Sequence, residues 1–287
     1  MEPLKNLGRM IWLFLLASSL LQDRGVAQSS AAPALRKFFG QAAAAVLDRE
    51  FSRSDVSYLL LEVHSGKVLT SHWGNPDEPL PLGSLVKPFT ALAYAGAHEY
   101  RYPMHECGGK AGGCWQEQSH GNLDMVVATS VSCNSYFRFL AADISERQIL
   151  SVAKLFDLEL PERGFTPATL IGLGERWRIS PIKMARAYLE LYRRKDQGGV
   201  RELIAGMRQS ASSGTGAAVG RAIGRTGALV KTGTASCTHT PRAPGDGFVI
   251  AMVPADQPEF LLMVRMHGVP GAKAAETAGR MLRRLEE

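Results

Sequence analysis

The chain has 287 residues, 45% of them hydrophobic, 21% charged and 8% aromatic, with a net charge of +6. That is enough apolar material for one large domain or two small ones with a full core, and it excludes a disordered chain. The basic residues are scattered, the densest run being Arg193-Arg194-Lys195 at a predicted helix end; with no standard zinc-finger spacing and no phosphate-binding loop, nucleic acid is not an expected partner.

Taken in chain order, the first residues read as an export signal. Lys5 and Arg9 precede an apolar run from Met10 to Leu21, and Gly25-Val26-Ala27 supplies the small residues of a cleavage site. The run is short for a bilayer span, which takes about 20 residues. Residues 1–27 are therefore expected to be a signal peptide, 28–32 a tether and 33–287 the working domain, placed outside the cytoplasm in a periplasmic or equivalent space. An uncleaved signal would leave that domain tethered to the membrane.

Within the domain, Ala34 to Phe51 has apolar residues at helical spacing. Val56–Val63 and Lys67–Ser71 flank Ser65-Gly66 as a predicted hairpin. The middle is mostly helical, with candidate helices over Ser84–Tyr100, Leu123–Ala142, Glu146–Phe156 and Pro181–Arg194. Strand character returns at Ala228–Thr234, Gly247–Val253 and Phe260–Met266, and a helix over Ala272–Leu285 closes the chain. This order predicts an α/β (α+β) fold: an antiparallel sheet built from both chain ends, flanked by helices, with an all-α insertion over about 84–195. A cleft between the two parts is the natural place for a site.

Three short motifs carry chemistry. Ser84-Leu85-Val86-Lys87 puts a hydroxyl and an amine three residues apart on one helix face. A serine is a poor nucleophile until a base takes its proton, and a lysine can do so once its pKa is pushed down. Ser132-Cys133-Asn134 offers a second hydroxyl to relay a proton and an amide to hold a peptide bond. Lys231-Thr232-Gly233-Thr234, on a predicted strand, offers a cation and two hydroxyls for a carboxylate, with Gly233 letting a substrate backbone approach. Ser-x-x-Lys also occurs at Ser151 and Ser180. Both follow Ser132 in the chain, and Ser180 has a sufficient role as a helix cap, so both are read as structural.

The combination resembles the transpeptidase domain of penicillin-binding proteins, closest to the class B members but without their pedestal domain. The segments that carry the likeness are Gly83 to Ala93, Cys114-Trp115, His120-Gly121, Ser132 to Phe137, Ile171 to Gly174, Ile179-Ser180-Pro181 and Lys231 to Ala235. Val230 stands where glycine is usual, and Gly247-Phe248-Val249-Ile250 lacks a usual tryptophan. The resemblance implies a DD-transpeptidase or DD-carboxypeptidase that acts on D-Ala–D-Ala stem peptides of peptidoglycan through an acyl-enzyme and is acylated by β-lactam antibiotics. Cell-wall proteins are candidate partners. It implies Ser84 as nucleophile, Lys87 as base, Ser132 as proton relay and Lys231 as the third catalytic group. Asn134, Thr232, Gly233 and Thr234 would bind substrate. No metal or organic cofactor is required by this chemistry.

A serine β-lactamase is the nearest alternative. Class A enzymes need a glutamate to activate the deacylating water; Glu159 and Glu162 fall in the right region without the matching Glu-x-x-x-Asn. A penicillin- or muropeptide-sensing domain is the second. Cys107 and Cys114 bracket a glycine-rich loop, where a disulfide is the favoured reading and a zinc site with His105 or His120 the weaker one. Cys133 and Cys237 read as buried free thiols.

Overall fold

A computed structural model describes residues 39–237 and 245–287; the predicted signal at 1–27 and tether at 28–32 lie outside the described residues. Helix α1 occupies residues 39–51. Five strands make one sheet: β1 (Val56–Glu62), β2 (Val68–His72), β7 (Leu229–Ala235), β8 (Asp246–Val253) and β9 (Phe260–Met266). Their order is β2-β1-β9-β8-β7, with every neighbouring pair antiparallel. The chain ends thus close one sheet between them, as the order of predicted elements implied, and β7 stands at its edge.

Both faces of this sheet are covered, which explains the unbroken apolar run of β8. Val249, Ala251 and Val253 join Tyr58, Leu60 and Val264 in one core, against α1 and the C-terminal helix α10 (Gly271–Glu286). Phe248, Ile250 and Met252 join Leu59, Leu61 and Met263 in the other, against the helical part. Strands buried on both sides need apolar side chains at successive positions rather than in alternation. The small residues Ala274, Ala275 and Ala278 let α10 lie close on the sheet, with Met281 and Leu282 completing its buried stripe.

The helical part departs from expectation in two places. The helix predicted over Leu123–Ala142 is two short helices, α3 (Met125–Ser130) and α4 (Asn134–Ala141), preceded by strand β5 (Gly121–Leu123). The break at 131–133 holds the first two residues of the second motif, and Ser132 sits there with φ 53°. A left-handed conformation at a residue other than glycine costs about 1–3 kcal/mol and persists only where the surroundings impose it. Further on, the helical region does not stop near 195. Helices α8 (Val200–Ser213) and α9 (Ala217–Ile223) continue it. Glycines at 199, 206, 214 and 216 hide α8 in the sequence. A side chain at Gly206 would stand 2.5 Å from Thr129 Cβ, so this glycine is what brings α8 against α3.

Three other helices follow the prediction more closely: α2 (Lys87–Ala95) after a 3-10 turn at Gly83–Val86, α5 (Glu146–Leu155) and α7 (Pro181–Arg193); the single turn α6 (Pro167–Leu170) was not foreseen. Two small ribbons, β3 (Leu80–Pro81) with β6 (Arg178–Ile179) and β4 (His105–Cys107) with β5, were not foreseen.

Tyr188 on α7 is fully buried and donates to the carbonyl of Leu85 at 2.8 Å, tying α7 to the turn that carries Ser84. A Tyr188→Phe chain keeps the packing and orphans that carbonyl. It is expected to lose about 1–3 kcal/mol, seen as a melting temperature lower by several degrees. An unchanged melting temperature would show that this bond contributes nothing.

Candidate active site

The nucleophile segment meets the sheet edge through glycines. At Gly83, φ is +56°, and a side chain there would lie 2.2 Å from the carbonyl oxygen of Thr234. At Gly172, φ is +81°, and a side chain would collide with the carbonyl of Gly83 at 2.1 Å. Three backbones thus touch with no side chain between them, seating Ser84 beside β7. Gly233 serves the same packing: its missing side chain makes room for Leu82 and Leu85 of the nucleophile turn. This packing role stands beside the expected one of letting a substrate backbone approach, since Gly233 also lines the cleft.

A cleft of about 360 Å³ opens at this junction, lined by Ser84, Ser132, Asn134, Thr232, Gly233 and Thr234 among others. The structure therefore brings together the hydroxyl and amide groups that the three motifs supply. Beneath them lie Lys87 and Lys231, both fully buried. Lys87 Nζ donates to Ser132 O (2.8 Å), Asn134 Oδ1 (2.6 Å) and, more weakly, Ser132 Oγ (3.4 Å). Lys231 Nζ donates to the same Ser132 Oγ at 2.8 Å and to Thr232 O at 2.7 Å. Ser132 is the hub joining the two amines. The Lys87–Ser84 contact expected from the three-residue spacing is not among these bonds, because Nζ is turned to the second motif.

Two ammonium groups sharing one hydroxyl in a dry pocket cannot both stay charged cheaply. Burial pushes Lys87 down to about 7, partly opposed by the nearby Cys133 and Cys114. Burial also lowers Lys231, and the Lys87 charge lowers it further. A neutral amine is therefore present near neutral pH, which is what a general base needs. The sign follows: below about 7 the Lys87 amine is protonated and cannot accept a proton, so penicillin acylation rates should fall toward acid and level off above. One pH unit below the midpoint only about a tenth of the base form remains. A stopped-flow pH profile with an acid limb far from neutral, or with none, would contradict this.

Several lining residues escaped the sequence reading. Thr215, between α8 and α9, accepts a hydrogen bond from Thr232 Oγ1 at 2.7 Å and is itself bonded through its amide to Ser130 O. Leu173, Pro270, Gly271 and Ala272 complete the wall, and Gly271 N donates to Thr234 Oγ1 at 3.0 Å. Nothing local marks Thr215, for it lies in a Ser-Ser-Gly-Thr-Gly loop whose flanking helices were themselves unassigned. The shadow motifs sit elsewhere: Ser151 Oγ bonds its own helix at Arg147 O, and Ser180 caps α7 by accepting from Lys183 N.

A sheet whose edge strand faces a helical lobe, with a serine–lysine–serine cluster at the seam, defines a serine–lysine class of protein. The chain belongs to the penicillin binding protein transpeptidase domain family, whose model matches residues 73–285. Solved structures share the fold at low identity. Pseudomonas aeruginosa PBP2, solved in complex with WCK 5153, is 16% identical at a TM-score of 0.69, with 88% of this chain and 73% of that one covered. The transpeptidase domain of Burkholderia pseudomallei penicillin-binding protein 3 is 15% identical at a TM-score of 0.65, with 88% of this chain and 92% of that one covered. A component of a peptidoglycan synthase complex that coordinates polymerization and crosslinking is 17% identical at a TM-score of 0.66; this chain is covered over 86% and spans 59% of that one. A search of curated protein sequences finds no significant match.

Proposed function

We propose that the protein is an exported serine DD-transpeptidase or DD-carboxypeptidase that works on D-Ala–D-Ala peptides of peptidoglycan. The observation that carries this reading is the sharing of Ser132 Oγ by two buried amines, Lys87 at 3.4 Å and Lys231 at 2.8 Å, on the wall of the cleft that also holds Ser84. In the proposed cycle Ser84 Oγ attacks the penultimate D-alanine carbonyl and Lys87 takes its proton. The C–N bond breaks, and Ser132 hands a proton to the departing D-alanine amine. Asn134 holds the substrate amide, while Lys231, Thr232 and Thr234 hold the terminal carboxylate. The backbone N–H groups of Ser84 and Thr234 would face the oxyanion, each such donor being worth about 10²–10³ in rate. An amine or water then releases the acyl group.

The edge position of β7 supports a peptide substrate, since an edge strand offers unpaired N–H and C=O groups to an extended chain. The cleft continues past Trp115 and Thr215 into a hollow of about 450 Å³ ending at Arg221 and Glu276, room for a substrate longer than a dipeptide. No carboxylate lines the wall around Ser84 among the described residues. Glu159 is paired with Lys183 and accepts from Ser180 N, and Glu162 is paired with Arg176. These engagements disfavour a class A lactamase deacylation step.

The export reading rests on the N-terminal residues alone, with the domain boundaries as given above; no described helix is long and apolar enough to cross a membrane. Glycan-polymerising and other cell-wall proteins are the proposed partners. The deciding experiment is the lifetime of the penicillin adduct together with product analysis on a defined muropeptide donor and acceptor. Adducts that last for hours, with turnover of the muropeptide, are expected. Decay within seconds would make the protein a lactamase, and a long-lived adduct without turnover would make it a sensor.

A further inference from the structure

Beside the second motif lie three buried thiols and one imidazole for which the acyl-transfer scheme has no use. Cys107 ends β4, Cys114 follows the glycine-rich turn, His120 precedes β5, and Cys133 caps α4. Cys107 is the register partner of Gly121, so His120 arrives next to it by strand pairing. The turn returns Cys114 to the same place, closed by Cys114 N donating to Gly109 O at 2.9 Å. Gly109 has φ +63°, and a side chain on it would stand 2.6 Å from Glu117 O.

The donor atoms converge on one point. His120 Nδ1 is 3.5 Å from Cys107 Sγ and 3.5 Å from Cys114 Sγ, and Cys114 Sγ is 3.7 Å from Cys133 Sγ. All four lie within 4.8 Å of one another. A tetrahedral zinc with Zn–S of about 2.3 Å and Zn–N of about 2.0–2.1 Å has edges of about 3.8 Å between sulfurs and about 3.6 Å from sulfur to nitrogen. The three separations of 3.5, 3.5 and 3.7 Å match those edges.

We infer that Cys107, Cys114, His120 and Cys133 form a structural zinc site that fastens the Cys107–His120 ribbon to the second motif. Four protein donors leave no open position, as structural sites require. Soft thiolates with one imidazole suit Zn²⁺ over the hard cations, and binding would release the three thiol protons to solvent. The backbone N–H groups of Gln116, Asn134 and Ser135 lie against Cys114 Sγ, and that of Tyr136 lies against Cys133 Sγ. A disulfide would use two sulfurs and leave the third thiol and the imidazole converging for no purpose. His105, the other candidate in the sequence, is turned away to Ser135 Oγ at 3.0 Å. Because Cys133 lies between Ser132 and Asn134, the metal would also hold Ser132 in its left-handed conformation.

The test uses the full chain purified without chelator. Elemental analysis should find about one zinc per chain, and Co²⁺ exchange should give the visible bands of a tetrahedral thiolate site. Cys107→Ser and His120→Ala should each lower zinc retained after dialysis about tenfold or more. Should these variants fold poorly, the wild type answers alone: stripping with dipicolinate should lower the melting temperature by about 5–10 °C, restored by Zn²⁺ and not by Mg²⁺. Zinc retention unaffected by Cys107→Ser, a melting temperature indifferent to stripping, or a disulfide between any two of these cysteines would overturn the inference. Metal content is read separately from penicillin labelling. A metal-free chain that labels normally sinks the zinc site alone, and a zinc-loaded chain that never labels sinks the acyl-transfer reading alone.

Discussion

A Ser84→Ala chain is expected to fold as the wild type does and to take no label from fluorescent penicillin. Ser84 is half-buried on the cleft wall, and no hydrogen bond to its side chain is found among the described residues. Losing one such hydroxyl should change stability by no more than about 0.5 kcal/mol. The covalent adduct, by contrast, has no other route. Ser132 Oγ is tied to Lys231 at 2.8 Å in a strained turn, and Thr232 Oγ1 is bonded to Thr215. In enzymes where nucleophile and base act as a unit, removing the nucleophile costs on the order of 10⁶ in rate. Gel fluorescence after prolonged incubation checks this. A labelled Ser84→Ala chain with an unchanged melting temperature would remove Ser84 from its role.

A Lys87→Met chain should acylate about 10²–10⁴ times more slowly, the usual contribution of a positioned general base. Its stability should move much less than its activity. The substitution orphans Ser132 O and Asn134 Oδ1, which lose donors at 2.8 and 2.6 Å. It also removes an amine held in a fully buried position, where the charged form is penalised. These effects oppose each other, and methionine fills a similar volume. The acid limb near 7 should vanish from the residual rate, because its titrating group is gone. Near-normal labelling, or a residual rate that keeps the same acid limb, would move the base function to another residue, with Lys231 the first to test.

Much of this was legible in the sequence. The five sheet strands were readable because each is a short apolar, β-rich run ended by a turn, and the three motifs were readable because their order and neighbours agree. Three things were lost. The helix over Leu123–Ala142 looks continuous by periodicity, yet breaks at Val131–Cys133. Helix α8 was hidden by glycines that serve its close approach to α3. Cys133, read as an inert thiol, joins two cysteines and a histidine from another segment.

By itself the sequence determined the strands, the helical insertion and the identity of the groups that could do chemistry, because apolar patterning and side-chain type are local properties. Only the tertiary structure decided that Lys87 turns to Ser132 and Asn134, that both amines are dehydrated, that Ser132 is held at a positive φ and that four soft donors meet at one point. Desolvation, imposed backbone strain and convergence all arise from contacts between separate segments, such as the 19 residues separating Cys114 from Cys133, the 45 separating Lys87 from Ser132 and the 99 separating Ser132 from Lys231. No local pattern encodes them.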